Sequence, residues 1–274
     1  MPPNFFVIGS ARSGTTSLRH HLRSHPAIYV PPVDEPRFFA FEGDNLDYTG
    51  PGDEMLRERV VTDTAAYHAL YSGVTNESAV GEVSPAYLCS PVAAVRIHEQ
   101  APDAKIIAIL RHPVERAISS FYRERLDGLE AAATLQEALD LEESRHRAGW
   151  SYVWRYRHRG LYHTHLARYF ALFPRHRIKV LRYEDWGQDH GRFMLRSIFE
   201  FLGVDTDAAM PNRVAHLNST RAQQATSRYE TGGEPPEDLK AELERFYRPE
   251  IERLQEMADI DLSNWLQPPE TIQR

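Results

Sequence analysis

Four apolar residues, Phe5-Phe6-Val7-Ile8, run straight into Gly9-Ser10-Ala11-Arg12-Ser13-Gly14-Thr15-Thr16-Ser17-Leu18. A buried strand that empties into a glycine-bounded loop and then a helix start commits a chain to an α/β architecture. The helix has to pack back on the sheet that holds the strand. The backbone N–H groups of such a loop point inward, and the helix N-terminus adds partial positive charge. The same few residues therefore form a seat for an anion, above all a phosphate.

The rest of the chain alternates short apolar runs with helical patterns. Val80–Val83, Lys105–Leu110 and Ile178–Arg182 read as further buried strands, with Ile28–Val30 as a shorter one. Lys105–Leu110 is apolar on both faces after its first residue, as a central parallel strand should be. Helical patterns cover Gly14–Arg23, Asp63–Leu70, Pro91–Gln100, Pro113–Leu126, Thr134–Arg145, Tyr162–Phe173, Gly191–Phe201 and Pro236–Met257. Pro31–Pro36 reads as a turn and Glu42–Asp53 as an acidic, glycine-rich loop. Residues 216–236, with Gly232-Gly233 and Pro235-Pro236, exceed an ordinary connection and read as a mobile cofactor or acceptor loop, or as disordered. No linker divides the chain. The expected fold is one α/β domain over residues 1–274: a P-loop-containing central parallel sheet of about five strands, flanked by helices and carrying helical insertions.

Composition narrows the function. The net charge of −7 offers no global field for nucleic acid, and the single cysteine, Cys89, excludes an internal disulfide framework or a multi-cysteine metal site. Neither His20-His21 nor His163-x-His165 brings a third ligand at metal spacing, so no metal is expected. No apolar run is long enough to span a membrane and no signal peptide precedes the first strand, so a cytoplasmic protein is expected. Only Lys105, Lys179 and Lys240 are lysines among 32 Lys and Arg residues, so any phosphate contact is expected to be made by arginine.

Gly9 and Gly14 are five apart, as in GxxxxGK[ST], but Thr15 stands where the nucleoside-triphosphate motif has lysine. That departure weighs against the alternative of a P-loop kinase or nucleotide hydrolase acting on ATP. Arg12 with the hydroxyls of Ser13, Thr15, Thr16 and Ser17 suits a single terminal phosphate with a charged leaving group. A second element follows the best central strand: Arg111 stands at its C-terminal end, where ligands of open parallel sheets bind, and Ser119 lies about two turns into the next helix, facing back. An arginine and a hydroxyl so placed can hold a second phosphate.

This pair of elements resembles the sulfotransferases that use 3′-phosphoadenosine 5′-phosphosulfate (PAPS). Ser84-Pro85-Ala86-Tyr87 and Glu35-Pro36-Arg37-Phe38-Phe39 are similar to segments of the heparan-type carbohydrate branch, and Gly160-Leu161-Tyr162, Tyr183-Glu184-Asp185, Phe246–Pro249 and Asp261–Trp265 also look familial. The resemblance implies that the loop from Arg12 through Ser13, Gly14, Thr15 and Thr16 to Ser17 binds the 5′-phosphosulfate. It implies that Arg111 and Ser119 bind the 3′-phosphate, and that Arg221 closes over it from the late loop. It implies sulfuryl transfer to a hydroxyl, or less readily an amine, of a glycan or another small hydroxylated acceptor. Glu35, in a turn that overhangs the loop, is the chosen general base, with Glu82 and His112 as runners-up, and Arg12 is assigned to the leaving phosphate. Three positions depart from the heparan branch: Arg12, Asp34 and Val83 stand where that branch has lysine. The aromatic and arginine-rich run Trp150–Arg159 reads as an acceptor cleft or as a packed junction.

Overall fold

The computed structural model describes residues 2–208, 210–211 and 234–267. Five parallel strands, β1 (Phe5–Gly9), β2 (Ile28–Tyr29), β3 (Ala79–Val83), β4 (Lys105–Leu110) and β5 (Ile178–Arg182), form one sheet in the order β2-β3-β1-β4-β5. These are the five runs read from the sequence, with ends shifted by a residue at most. β1, first in the chain, lies in the middle of the sheet with β3 on one side and β4 on the other. Loops leaving the C-terminal ends of these three strands therefore meet over β1, where an open parallel sheet forms its crevice.

The sheet is covered on both faces. Phe6, Ile8, Val80 and Ile106 face one apolar cluster with the helices Ala93–Gln100, Pro113–Leu126, Tyr162–Phe170 and Glu237–Ala258. Phe5, Val7, Ile107 and Ile109 face the other, with α1 (Thr15–Arg23) and the helix Arg192–Leu202. This is why β1 and β4 carry no alternation: every β1 residue is buried, and in β4 only Lys105 is not. Gly81 is required by strand packing, since a Cβ there would stand 2.1 Å from the Phe5 carbonyl oxygen.

Thr134–Arg145, read as one helix, is two, Leu135–Asp140 and Glu142–Arg147. Four short helices fall where no helix was read: Phe38–Phe41, Asp53–Arg59, Ala86–Cys89 and Ser263–Leu266. They contain four to seven residues each, too few for a 3.6-residue period to show. Among the described residues no helix is long and apolar enough to cross a membrane.

Candidate functional site

The loop after β1 is held first by its backbone. Ser10 N–H donates to the Ile109 carbonyl on β4 at 2.6 Å. Arg12 and Gly14 both have positive φ, 71° and 79°, and a Cβ at Gly14 would stand 2.6 Å from Trp186 Nε1, so only glycine fits this turn into α1. Arg12 then reaches across the crevice: its Nε donates to Ser119 Oγ at 3.1 Å. Two elements 107 residues apart thus share one contact, and Ser119 faces back to the loop after β1.

Charge gathers around that contact. The Arg12 pKa is lowered to about 10, first by burial and then by repulsion from Arg123, Arg111 and Arg159, against an opposing effect from Glu124. Arg111 lies over the Tyr183 ring at 5.2 Å and donates to Glu115 at 3.2 Å, while its carbonyl accepts from the Tyr162 hydroxyl at 2.9 Å. Arg111, Arg123 and Arg159 each repel the Arg12 guanidinium, an arrangement that favours a multiply charged anion beside it. From the sequence, Arg159 is singled out only within the run Trp150–Arg159, and Arg123 is not. Arg123 carried a usable signal, because it stands four residues after Ser119 and so on the same helix face.

The other wall carries Glu35. The turn after β2 brings it over the N-terminus of α1, into a cleft lined by Thr15, Thr16, Arg19, Glu35, Arg59 and Val83. Arg37 Nε and Nη2 donate to Glu35 Oε2 at 3.1 and 2.5 Å. Burial pulls the Arg37 pKa down, but Tyr152 and Glu35 outweigh it and raise it. Glu35 and Arg37 both have positive φ, 51° and 58°, a strained pair for non-glycine residues. The strain is held from the segment after β3, by Ser84 and by the short helix Ala86–Cys89: Ser84 Oγ accepts from the Arg37 N–H at 3.0 Å, and Tyr87 Oη accepts from the Phe39 N–H at 3.2 Å. Asp34, ion-paired with Arg19, and Val83 both line the Glu35 cleft.

The two runner-up bases are placed elsewhere. Glu82 is wholly buried, accepts from the Tyr71 and Tyr87 hydroxyls, and has its pKa pushed up to about 7 by burial. His112 is also largely covered: its Nε2 lies 3.3 Å from the Trp265 carbonyl, its ring packs on Trp265, and burial lowers its pKa. Neither carboxylate nor imidazole lines the Glu35 cleft. Of the loop hydroxyls, Thr15 and Thr16 line it, and Ser13 and Ser17 are buried outside it. Arg221 lies outside the described residues.

Trp150–Arg159 divides. Trp154 is buried and donates to Asp53 at 3.4 Å, and the Arg145 guanidinium lies against both the Trp150 and Trp154 rings at 4.8 and 5.5 Å, which is a packed junction. Arg159 instead lies over Tyr152 at 5.5 Å and belongs to the guanidinium cluster around Arg12. Among the described residues no group of three His, Cys, Asp or Glu side chains is placed to hold a metal ion.

Known proteins share this fold. The chain is 36% identical to a crystallised sulfotransferase from Alicyclobacillus acidocaldarius, with a TM-score of 0.84 over 97% of this chain and 100% of that one. It is 26% identical to human heparan sulfate glucosamine 3-O-sulfotransferase 6 over 94% of its own length and 72% of the relative's. It is 33% identical to the membrane-associated sulfotransferase kil1 of Dictyostelium discoideum over 44% of its own length, a match that spans 22% of that relative. The sequence profile of the Sulfotransferase family matches residues 3–208, and the chain belongs to that family.

Proposed function

We propose that this protein transfers the sulfuryl group of PAPS to a hydroxyl, or less readily an amine, of a glycan or another small hydroxylated acceptor. The observation that carries the proposal is the Arg12–Ser119 contact, which joins the phosphate loop to the Arg111–Ser119 element inside a cluster of guanidinium groups. One phosphate subsite would serve any nucleotide. Two that meet, with arginine in place of a P-loop lysine and magnesium, favour a bisphosphate nucleotide. When bound, PAPS supplies an activated sulfuryl group on a leaving phosphate.

The chain's own residues would then divide the work. Loop N–H groups and the Thr15 and Thr16 hydroxyls orient the 5′ end at the N-terminus of α1. Arg12 offsets the charge that develops on the leaving phosphate, a form of stabilisation that gains strength in a water-poor crevice. Arg111 and Ser119 hold the 3′-phosphate. Glu35, across Thr15 and Thr16 in the same cleft, takes the proton of the accepting hydroxyl. Its pairing with Arg37 keeps the carboxylate aimed rather than free to rotate. Sulfuryl transfer, like phosphoryl transfer, then depends mainly on alignment and charge. Asp34 and Val83 leave the acceptor cleft less basic than lysines at these positions would, so the acceptor is expected to differ from that of the heparan relatives.

Thermal unfolding with adenosine 3′,5′-bisphosphate or with ATP and magnesium tests the nucleotide class. At 100 times its dissociation constant the bisphosphate adds about 2.7 kcal/mol to stability. Stabilisation only by ATP and magnesium would replace this reading by a kinase or hydrolase. Transfer of labelled sulfate from PAPS across a panel of glycans and small hydroxylated compounds then identifies the acceptor.

A further inference from the structure

Tyr162 opens the helix Tyr162–Phe170, remote in sequence from both phosphate elements, yet its hydroxyl lies between them. It donates to the Arg111 carbonyl at 2.9 Å, Ser10 Oγ stands 3.4 Å from the same phenol oxygen, and Ser13 Oγ stands 2.6 Å from Ser10 Oγ. A phenol has one proton to give. With that proton on the Arg111 carbonyl, Ser10 must donate to the phenol and Ser13 to Ser10. The hydroxyl chain therefore runs in one direction from the loop to the strand end. All three side chains are buried, and burial raises the Tyr162 pKa, so the phenol keeps its proton.

The sheet ties the two strand ends only as far as Gly9 opposite Ala108 and the Ser10 N–H on the Ile109 carbonyl, short of Arg111, and its register there is irregular. β1 and β4 pair in register from Phe5 to Val7, then slip between Val7 and Gly9, immediately before the loop. Tyr162 bridges the two strand ends just beyond that slip. Its ring lies 6.4 Å from Trp265, whose carbonyl is also the partner of His112, so the segment Arg111-His112 is braced from the same side by two hydrogen bonds.

We infer that Tyr162 is a positioning residue that sets the distance between the 5′-phosphate loop and Arg111, and thereby makes the site prefer a nucleotide phosphorylated at both ends over one phosphorylated at the 5′ end alone. The inference rests on the reading of these two elements as phosphate sites. It is tested by calorimetric titration of the wild-type protein and Tyr162→Phe with adenosine 3′,5′-bisphosphate and with adenosine 5′-phosphate. The wild type should prefer the bisphosphate. The variant should lose about threefold to tenfold in bisphosphate affinity, the value of one buried hydrogen bond, and much less for the monophosphate, so that the preference narrows. An unchanged preference in Tyr162→Phe, whatever happens to absolute affinity, overturns the inference and leaves Tyr162 a packing residue. A wild type without preference overturns the two-phosphate reading itself. Should Tyr162→Phe fail to fold, Ser10→Ala cuts the same bridge at the loop end: a narrowed preference supports the inference and an unchanged one overturns it.

Discussion

Glu35 and Arg37 both take positive φ, a strained conformation for non-glycine residues, and each is tied to the other. Such strain persists only where surrounding contacts over-determine it, and Ser84 and Tyr87 supply those contacts from the segment after β3. Replacing Glu35 by Gln keeps an acceptor for the Arg37 N–H groups and removes the proton sink. Turnover should fall by about 10²–10⁴-fold while bisphosphate affinity is unchanged, as read by initial rates beside calorimetry. Equal turnover would remove Glu35 from the role of base. Arg111→Ala, in contrast, should weaken the bisphosphate by about 1.5–3 kcal/mol, the value of a hydrogen bond to a charged group. Affinity unchanged in that variant would detach Arg111 from the 3′-phosphate.

At the scale of elements, β3 carries a different test. Burial raises the Glu82 pKa to about 7, partly offset by the Tyr87 and Tyr71 hydroxyls. In the unfolded chain the carboxyl ionises near 4.3, so between about pH 4.5 and 7 the folded state binds the extra proton. The stabilisation is therefore complete below that window and is lost as pH rises through it. Burial shifts His158 and His165 the other way, to about 4 and about 3, so their contribution rises with pH. Both histidines are present in Glu82→Gln as well. The difference in melting temperature between wild type and Glu82→Gln should accordingly decline from pH 4.5 to 7.5, and a flat difference would place Glu82 in a more polar environment than Tyr71 and Tyr87 provide. The same strand shows what a sequence can and cannot reveal. Its apolar run and the helix after β4 were legible because burial on both faces and Pro113 at a helix start leave local marks. Arg111 and Ser119 were legible because strand ends point at crevices. That Glu82 is sealed while Glu35 is open, and that Tyr162 joins loop to strand end, depends on contacts across 152 residues for Ser10 and Tyr162, and no local pattern carries those. The break in Thr134–Arg145 and the four-residue helices escaped for a simpler reason: less than two turns of helix leave no period to read.

For the molecule as a whole, charge poses a conflict that ionic strength can resolve. The protein carries a net charge of −7, which repels an anionic nucleotide at long range, while Arg12, Arg111, Arg123 and Arg159 attract it at short range. At physiological ionic strength the screening length is about 8 Å, so remote acidic residues are largely silent and the pocket dominates. At about 0.01 M it is near 30 Å, and the whole molecule is felt. The equilibrium affinity for adenosine 3′,5′-bisphosphate should therefore fall as salt is raised, because the closest pairs are the last to be screened but still weaken. The association rate should be less sensitive than for a protein of net positive charge, because repulsion and attraction are screened together. Calorimetry and stopped-flow mixing over the same salt series measure the two separately. An affinity that does not change with salt would mean that the guanidinium cluster around Arg12 does not hold the phosphates. An association rate that rises steeply with salt would mean that the net charge, not the pocket, governs approach.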